Sequence, residues 1–144
     1  MIEQDTIKLL RECDAGIKMG IDSIDEVFDR VESTGMQDIL DASRHEHHKL
    51  KKEIESELRH FKDDGKEPAF IVRSMSHMKT EMKIGLDKCD ATIADLMVDG
   101  CNMGVKSLSR YLNEYTAADE RSKDICKKLI AIEEHLGKAL RDYL

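Results

Sequence analysis

Gly16-Ile17-Lys18-Met19-Gly20-Ile21-Asp22-Ser23-Ile24 returns 84 residues later as Gly100-Cys101-Asn102-Met103-Gly104-Val105-Lys106-Ser107-Leu108. Both Gly, the Met and the Ser are identical, and the apolar positions largely coincide. Around the first copy, Ile7, Leu10, Asp14, Ile17, Ile21, Ile24, Phe28 and Val31 follow at steps of three and four. That spacing keeps them on one face of an α-helix and predicts a single buried seam. Around the second copy, Ala91, Ala94, Val98, Cys101, Val105, Leu108, Leu112 and Tyr115 do the same.

Two further seams follow these. Met36, Leu40, Ser43, His47, Leu50, Ile54, Leu58 and Phe61 form one; Ile125, Leu129, Ile132, Leu136, Ala139 and Tyr143 form the other. They match more weakly at an offset of 86, which lays Ile39 on Ile125, Leu50 on Leu136, Ile54 on Leu140 and His47 on Glu133. The chain therefore reads as one helical hairpin used twice. A short Ser33-Thr34-Gly35 turn closes the first hairpin, with Thr34 as the expected cap. Gly65, after Asp63-Asp64, is the expected left-handed terminator of its second helix.

Between the hairpins stands Pro68, the single proline, at a position suited to a first helical turn. The segment Phe70 to Lys88 is amphipathic and carries Met75, Met78 and Met82. As a helix it would span about 27 Å, enough to carry the chain from one end of a bundle to the other. Gly85 would weaken its last turn. The expected helices are 2–32, 35–63, a crossover over 68–88, 90–115 and 117–143. Asp90 is read as the cap of the fourth, and Thr116-Ala117-Ala118-Asp119 as a capping-box-like start of the last. The spacing leaves open whether 68–115 forms one helix or two. One all-α domain over 1–144 accounts for the length.

Composition supports this and excludes other classes. The chain has 144 residues, 37% of them charged and only 4% aromatic, with no Trp. A sandwich or barrel would need β-branched and aromatic runs with frequent turns. The net charge of −7 argues against a nucleic-acid surface, which needs clustered Lys and Arg. The densest basic stretch, Lys49-Leu50-Lys51-Lys52, is followed by Glu53, Glu55 and Glu57 and reads as a solvated face. No apolar run approaches the roughly 20 residues of a membrane span. Met1-Ile2-Glu3-Gln4-Asp5 lacks the basic start and apolar run of a secretory leader. Cys13, Cys89, Cys101 and Cys126 are widely spaced, so reduced, mostly buried thiols in a cytoplasmic protein are expected.

The seams contain residues that do not belong in an apolar core. Gly16-x-x-x-Gly20 and Gly100-x-x-x-Gly104 leave two bare positions on one face of each helix. Each Gly costs about 1 kcal/mol of helix propensity relative to Ala. Close approach of the two helices would offset that cost; the alternative is room for a ligand beside the backbone. Asp14 and His47 also occupy core slots. A metal site built from His47, Glu133 and Asp14, holding Fe, Mn or Zn, is the chemical reading. By helix length, however, Asp14 stands almost two turns from the level of His47. The structural reading is a hydrogen-bonded polar layer that fixes helix register, with a shifted pKa at His47.

Two other patterns are fragments. His77-x-x-x-Glu81 places two potential ligands on one helix face and resembles part of the hemerythrin pattern, without its companion histidines. His48-Lys49-Leu50-Lys51 resembles part of the histidine-phosphotransfer motif. Lys52 stands there where a small residue is expected.

Two hairpins joined by a long crossover are the layout of ferritin-like bundles, and the whole chain resembles the ferritin and rubrerythrin superfamily in this respect. Cys13-Asp14-Ala15-Gly16, Arg44-His45-Glu46-His47-His48 and Gly65-Lys66-Glu67-Pro68 resemble, more closely, a bacterial branch of four-helix bundles carrying a domain of unknown function. Active members hold two irons with a Glu on each of two helices and Glu-x-x-His on the other two. This sequence departs from that pattern. Glu46 is followed three residues on by Lys49, while His47 and His135 are preceded three residues earlier by Arg44 and Ile132. The fourth segment offers only Val98 and Cys101. The resemblance thus implies the fold without di-iron oxidase chemistry, and a stress-related, storage or scaffold role rather than an enzyme. Two other readings stand beside it. One is an interaction module that contacts a second copy or a protein partner through the Met-rich crossover or an outer face. The other is a metalloprotein with the atypical His47, Glu133 and Asp14 site.

Overall fold

The computed structural model describes residues 2–66 and 89–144, which are helical with short connections and no strand among them. We label the helices α1 (Ile2–Phe28), α2 (Thr34–His60), α3 (Asp90–Glu114) and α4 (Glu120–Ala139); a 3-10 turn over Leu140–Tyr143 follows α4. The expected crossover helix over 68–88, with Pro68, the Met cluster, Gly85 and the His77/Glu81 pair, lies outside the described residues. None of the described helices is long and apolar enough to cross a membrane.

The α2 seam is buried as its spacing predicts: Met36, Leu40, Ser43, His47, Leu50, Ile54 and Leu58 all face the core. In α3 the buried face is rotated from the one read in sequence. Ile93 and Met97 turn inward with Ala94, Cys101 and Leu108, while Ala91 is exposed and Val98 and Val105 are half-buried. Both faces of this helix carry apolar residues, so spacing alone did not select between them. In α1, Cys13 and Val27 are buried, whereas Ile7 and Phe28 are only half-buried.

Polar contacts at the two ends set the direction of each helix. At one end, the Asp90 carboxylate accepts hydrogen bonds from the backbone N–H groups of Glu32 (2.9 Å) and Ser33 (2.8 Å). Asp90 therefore ties the start of α3 to the α1–α2 turn instead of capping its own helix, whose N-cap residue is Cys89. At the other end, Asp5 accepts from Ala117 N (3.1 Å) and buried Thr6 from Asp119 N (2.8 Å). The α3–α4 turn is thus held to the start of α1, and Arg11 reaches Asp63, just past the end of α2, at 3.0 Å. It follows that α2 and α3 run in one direction and α1 and α4 in the other. α1 packs on α2 and α3, α4 packs on the same two, and α1 meets α4 across the middle.

The helix ends differ from the sequence reading by a residue or more. Ser33, not Thr34, caps α2 and accepts from Met36 N. Asp119 is itself the cap of α4, accepting from Ser122 N at 2.8 Å. Helix α2 ends at His60, five residues before Gly65. Lys62 takes the left-handed conformation at φ 55°. Asp63 N donates to Leu58 O at 2.9 Å and Lys62 N to Arg59 O at 3.0 Å. That pair of bonds is the Schellman arrangement, whose left-handed position favours glycine. A side chain in this conformation costs about 1–2 kcal/mol. Lys62→Gly is therefore expected to stabilise the chain by about 1 kcal/mol, read as a higher urea midpoint at unchanged slope.

The core is divided. One cluster gathers Leu10, Ile17 and Ile21 of α1 with Leu50, Ile54, Leu108 and Leu129. The second gathers Ile24 and Val27 with Met36, Leu40, Met97, Cys101 and Leu136. On α2, α3 and α4, His47, Gly104 and Glu133 stand between a member of one cluster and a member of the other; on α1, Gly20 stands beside Ile21, the last α1 member of the first cluster.

Candidate functional site

These four residues form the middle layer of the bundle. The seam of α2 turns His47 fully inward, with no exposed surface, and α4 turns Glu133 inward with 8%. His47 Nε2 lies 2.8 Å from Glu133 Oε1, and Nδ1 lies 2.7 Å from the Ser43 carbonyl oxygen. A carbonyl oxygen only accepts, so Nδ1 carries a proton. A carboxylate facing Nε2 places the second proton there. Burial works to lower the pKa of His47, but the hydrogen bond and charge of Glu133, with the Ser43 carbonyl, outweigh it and hold the pKa above its ordinary value. At a pH below that raised value the layer is an imidazolium–carboxylate pair. The Cys101 thiol stays neutral: burial, then the Glu133 charge and hydrogen bond, push its pKa far up.

The glycines make this pair possible. A Cβ on Gly20 would stand 2.7 Å from His47 Nε2 and 3.2 Å from Glu133 Oε1. On Gly104 it would stand 3.5 Å from Glu133 Oε2. The atoms nearest Gly16 are side-chain atoms of Leu129 and Leu108, and nothing lies within 4 Å of the position at Gly100. The expected close approach of the two glycine-bearing helices is thus corrected. Gly20 and Gly104 accommodate side chains from α2 and α4, and Gly100 faces outward.

Of the sequence-derived metal candidates, the structure brings His47 and Glu133 together and leaves Asp14 apart. Asp14 is six residues before Gly20, about 9 Å along the helix. It is 99% buried but engaged: Oδ2 lies 2.8 Å from Lys18 Nζ and accepts from Lys66 N at 3.0 Å. Gly65, at φ 87°, leaves room for it. Among the described residues, no group of three or more His, Cys, Asp and Glu is placed to hold a metal ion. A di-iron centre also does not fit this layer. It requires ligating side chains from all four helices, and α1 and α3 supply Gly20 and Gly104.

The remaining histidines of α2 are on the outside. His45 and His48 are exposed and line a shallow surface depression with Asp41, Arg44 and Glu46. Arg44 is occupied there, paired with Asp41 at 2.7 Å and Asp25 at 3.2 Å, and seated 4.4 Å over the Phe28 ring. The four cysteines are free thiols; Cys13, Cys101 and Cys126 are buried and Cys89 is half-buried.

Sequence reasoning turned His47 inward and matched it to Glu133 by the offset of 86, but took Ile132 for the seam in place of Glu133 and did not join the glycines to the pair. The signal was present in the repeat: the offset of 84 pairs Gly20 with Gly104, and the offset of 86 pairs His47 with Glu133. Comparison with known proteins returned no matching family model, no matching curated protein and no matching solved structure.

Proposed function

We propose that the protein is a non-catalytic helical scaffold of ferritin-like layout, whose working contacts are made by its outer surface with a second copy or a protein partner. One observation supports this reading above others. The polar groups at the centre of the bundle are bonded to one another: both ring nitrogens of His47 are taken, by Glu133 and by Ser43. A layer that holds ligands or substrate keeps such groups available, whereas a layer that sets helix register satisfies them internally. The parallel course of α2 and α3 supports the ferritin-like layout.

The test uses the untagged full chain reloaded with Fe(II), Mn(II) or Zn(II). Metal content by mass spectrometry is expected to stay well below one ion per chain and to be the same in His47→Gln. Sedimentation velocity over a range of concentrations is expected to show self-association that survives the same substitution, or binding of a partner of the wild-type chain. One metal ion per chain, lost in His47→Gln, overturns the reading in favour of an atypical metal centre.

A further inference from the structure

We infer that the His47–Glu133 layer is a proton-operated lock between α2 and α4: protonated at His47 it holds the two helices in register, and deprotonation as pH rises loosens them. The geometry requires two protons on one ring. Nδ1 faces the Ser43 carbonyl at 2.7 Å and Nε2 faces the Glu133 carboxylate at 2.8 Å. When the ring loses a proton to solvent, one hydrogen remains for two acceptors, the Ser43 carbonyl and the Glu133 carboxylate, with the Ser43 hydroxyl 3.4 Å from Nδ1. Whichever nitrogen keeps it, one of the two bonds is lost inside a buried layer. The charge attraction goes with it, and a buried carboxylate loses its counter-charge.

The Ser43 hydroxyl, 3.4 Å from Nδ1, and the Cys101 thiol, hydrogen-bonded to Glu133, also face the pair, but neither carries a charge to replace the one lost. From α4 the pair is faced by Glu133 itself. From α3 it is faced by Cys101, a thiol that remains neutral because burial raises its pKa. From α1 it is faced by Gly20, which carries no charge, and a neighbouring residue on α2, Glu46, adds further negative charge. Because the folded pKa of His47 is raised, its contribution is complete below the ordinary histidine value near 6.5 and is lost as pH climbs through the raised value. The glycine cradle limits escape, since the ring cannot swing towards α1 without meeting Gly20. This inference rests on the layer alone and stands whether or not the scaffold reading holds.

The experiment compares thermal unfolding of the full-length wild type with His47→Leu/Glu133→Leu from pH 6 to pH 9. Exposed groups titrate alike in both chains, so the difference in Tm isolates the layer. The wild-type Tm is expected to fall relative to the double variant by about 5 °C across that range. Hydrogen exchange on the wild type supplies a measurement independent of any variant. Protection of amides in 43–50 and 129–136 is expected to fall with pH more than protection in 9–13, after correction for intrinsic rates. Parallel Tm profiles, or equal loss of protection in the three segments, overturn the proposal.

Discussion

His47→Leu alone, or Glu133→Leu alone, is expected to cost about 3–5 kcal/mol at pH 6. The double substitution is expected to recover most of that loss or to exceed the wild type by about 1–4 kcal/mol. The reason is the asymmetry of a buried ion pair. Both charges were desolvated on folding, and their mutual attraction with the Ser43 bond returns roughly what that cost. Removing one partner leaves the other buried and uncompensated. Removing both leaves two apolar side chains between two apolar clusters. A domain of this kind has only about 5–15 kcal/mol of stability in total, so either single change takes a large share of it. Urea unfolding of the four proteins completes a double-mutant cycle. Single losses that simply add in the double variant would show that the two residues act independently.

The second large effect separates glycines that look alike in sequence. Gly20→Ala is expected to destabilise by about 2 kcal/mol net, because overpacking costs about 1–3 kcal/mol and the damaged ion pair adds to it. The new methyl would meet the His47 ring at 2.7 Å, and that ring is pinned at both nitrogens. Gly100→Ala, at the first glycine of the other Gly-x-x-x-Gly and facing solvent, is expected to stabilise by about 1 kcal/mol through helix propensity. Gly104→Ala falls between them, since its added atom makes ordinary contact with Glu133 at 3.5 Å. Equal effects at Gly20 and Gly100, read from urea midpoints, would remove the glycines from the account of the layer.

The helices and the inward place of His47 were legible because α2 alternates its apolar and charged residues cleanly. The buried face of α3 was not, because Ile93, Met97, Val98 and Val105 lie on more than one side, and only packing against α1 and α4 selects among them. Glu133 shows the limit of hydropathy more sharply. Ile132 beside it is the apolar residue that the seam chose, yet Ile132 is half-buried and Glu133 is inside. Its burial is explained by His47, a residue 86 positions away. The glycines were read as devices for backbone approach, since sequence alone does not show whether the space beside a bare position is filled by a helix or by a neighbour's side chain. Lys62 in the left-handed position could not be anticipated either, as Gly65 stands close by and is the residue type that the turn favours.

The central claim is that the middle of the bundle holds an imidazolium–carboxylate pair in place of a ligand site. It is tested most directly by nitrogen NMR of the His47 ring in the full-length chain at pH 6, below the ordinary histidine value. The account predicts that both ring nitrogens are protonated, each with a coupled hydrogen, one shielded by the Ser43 carbonyl and one shared with Glu133. A neutral His47 ring with a bare Nε2 at that pH would contradict it.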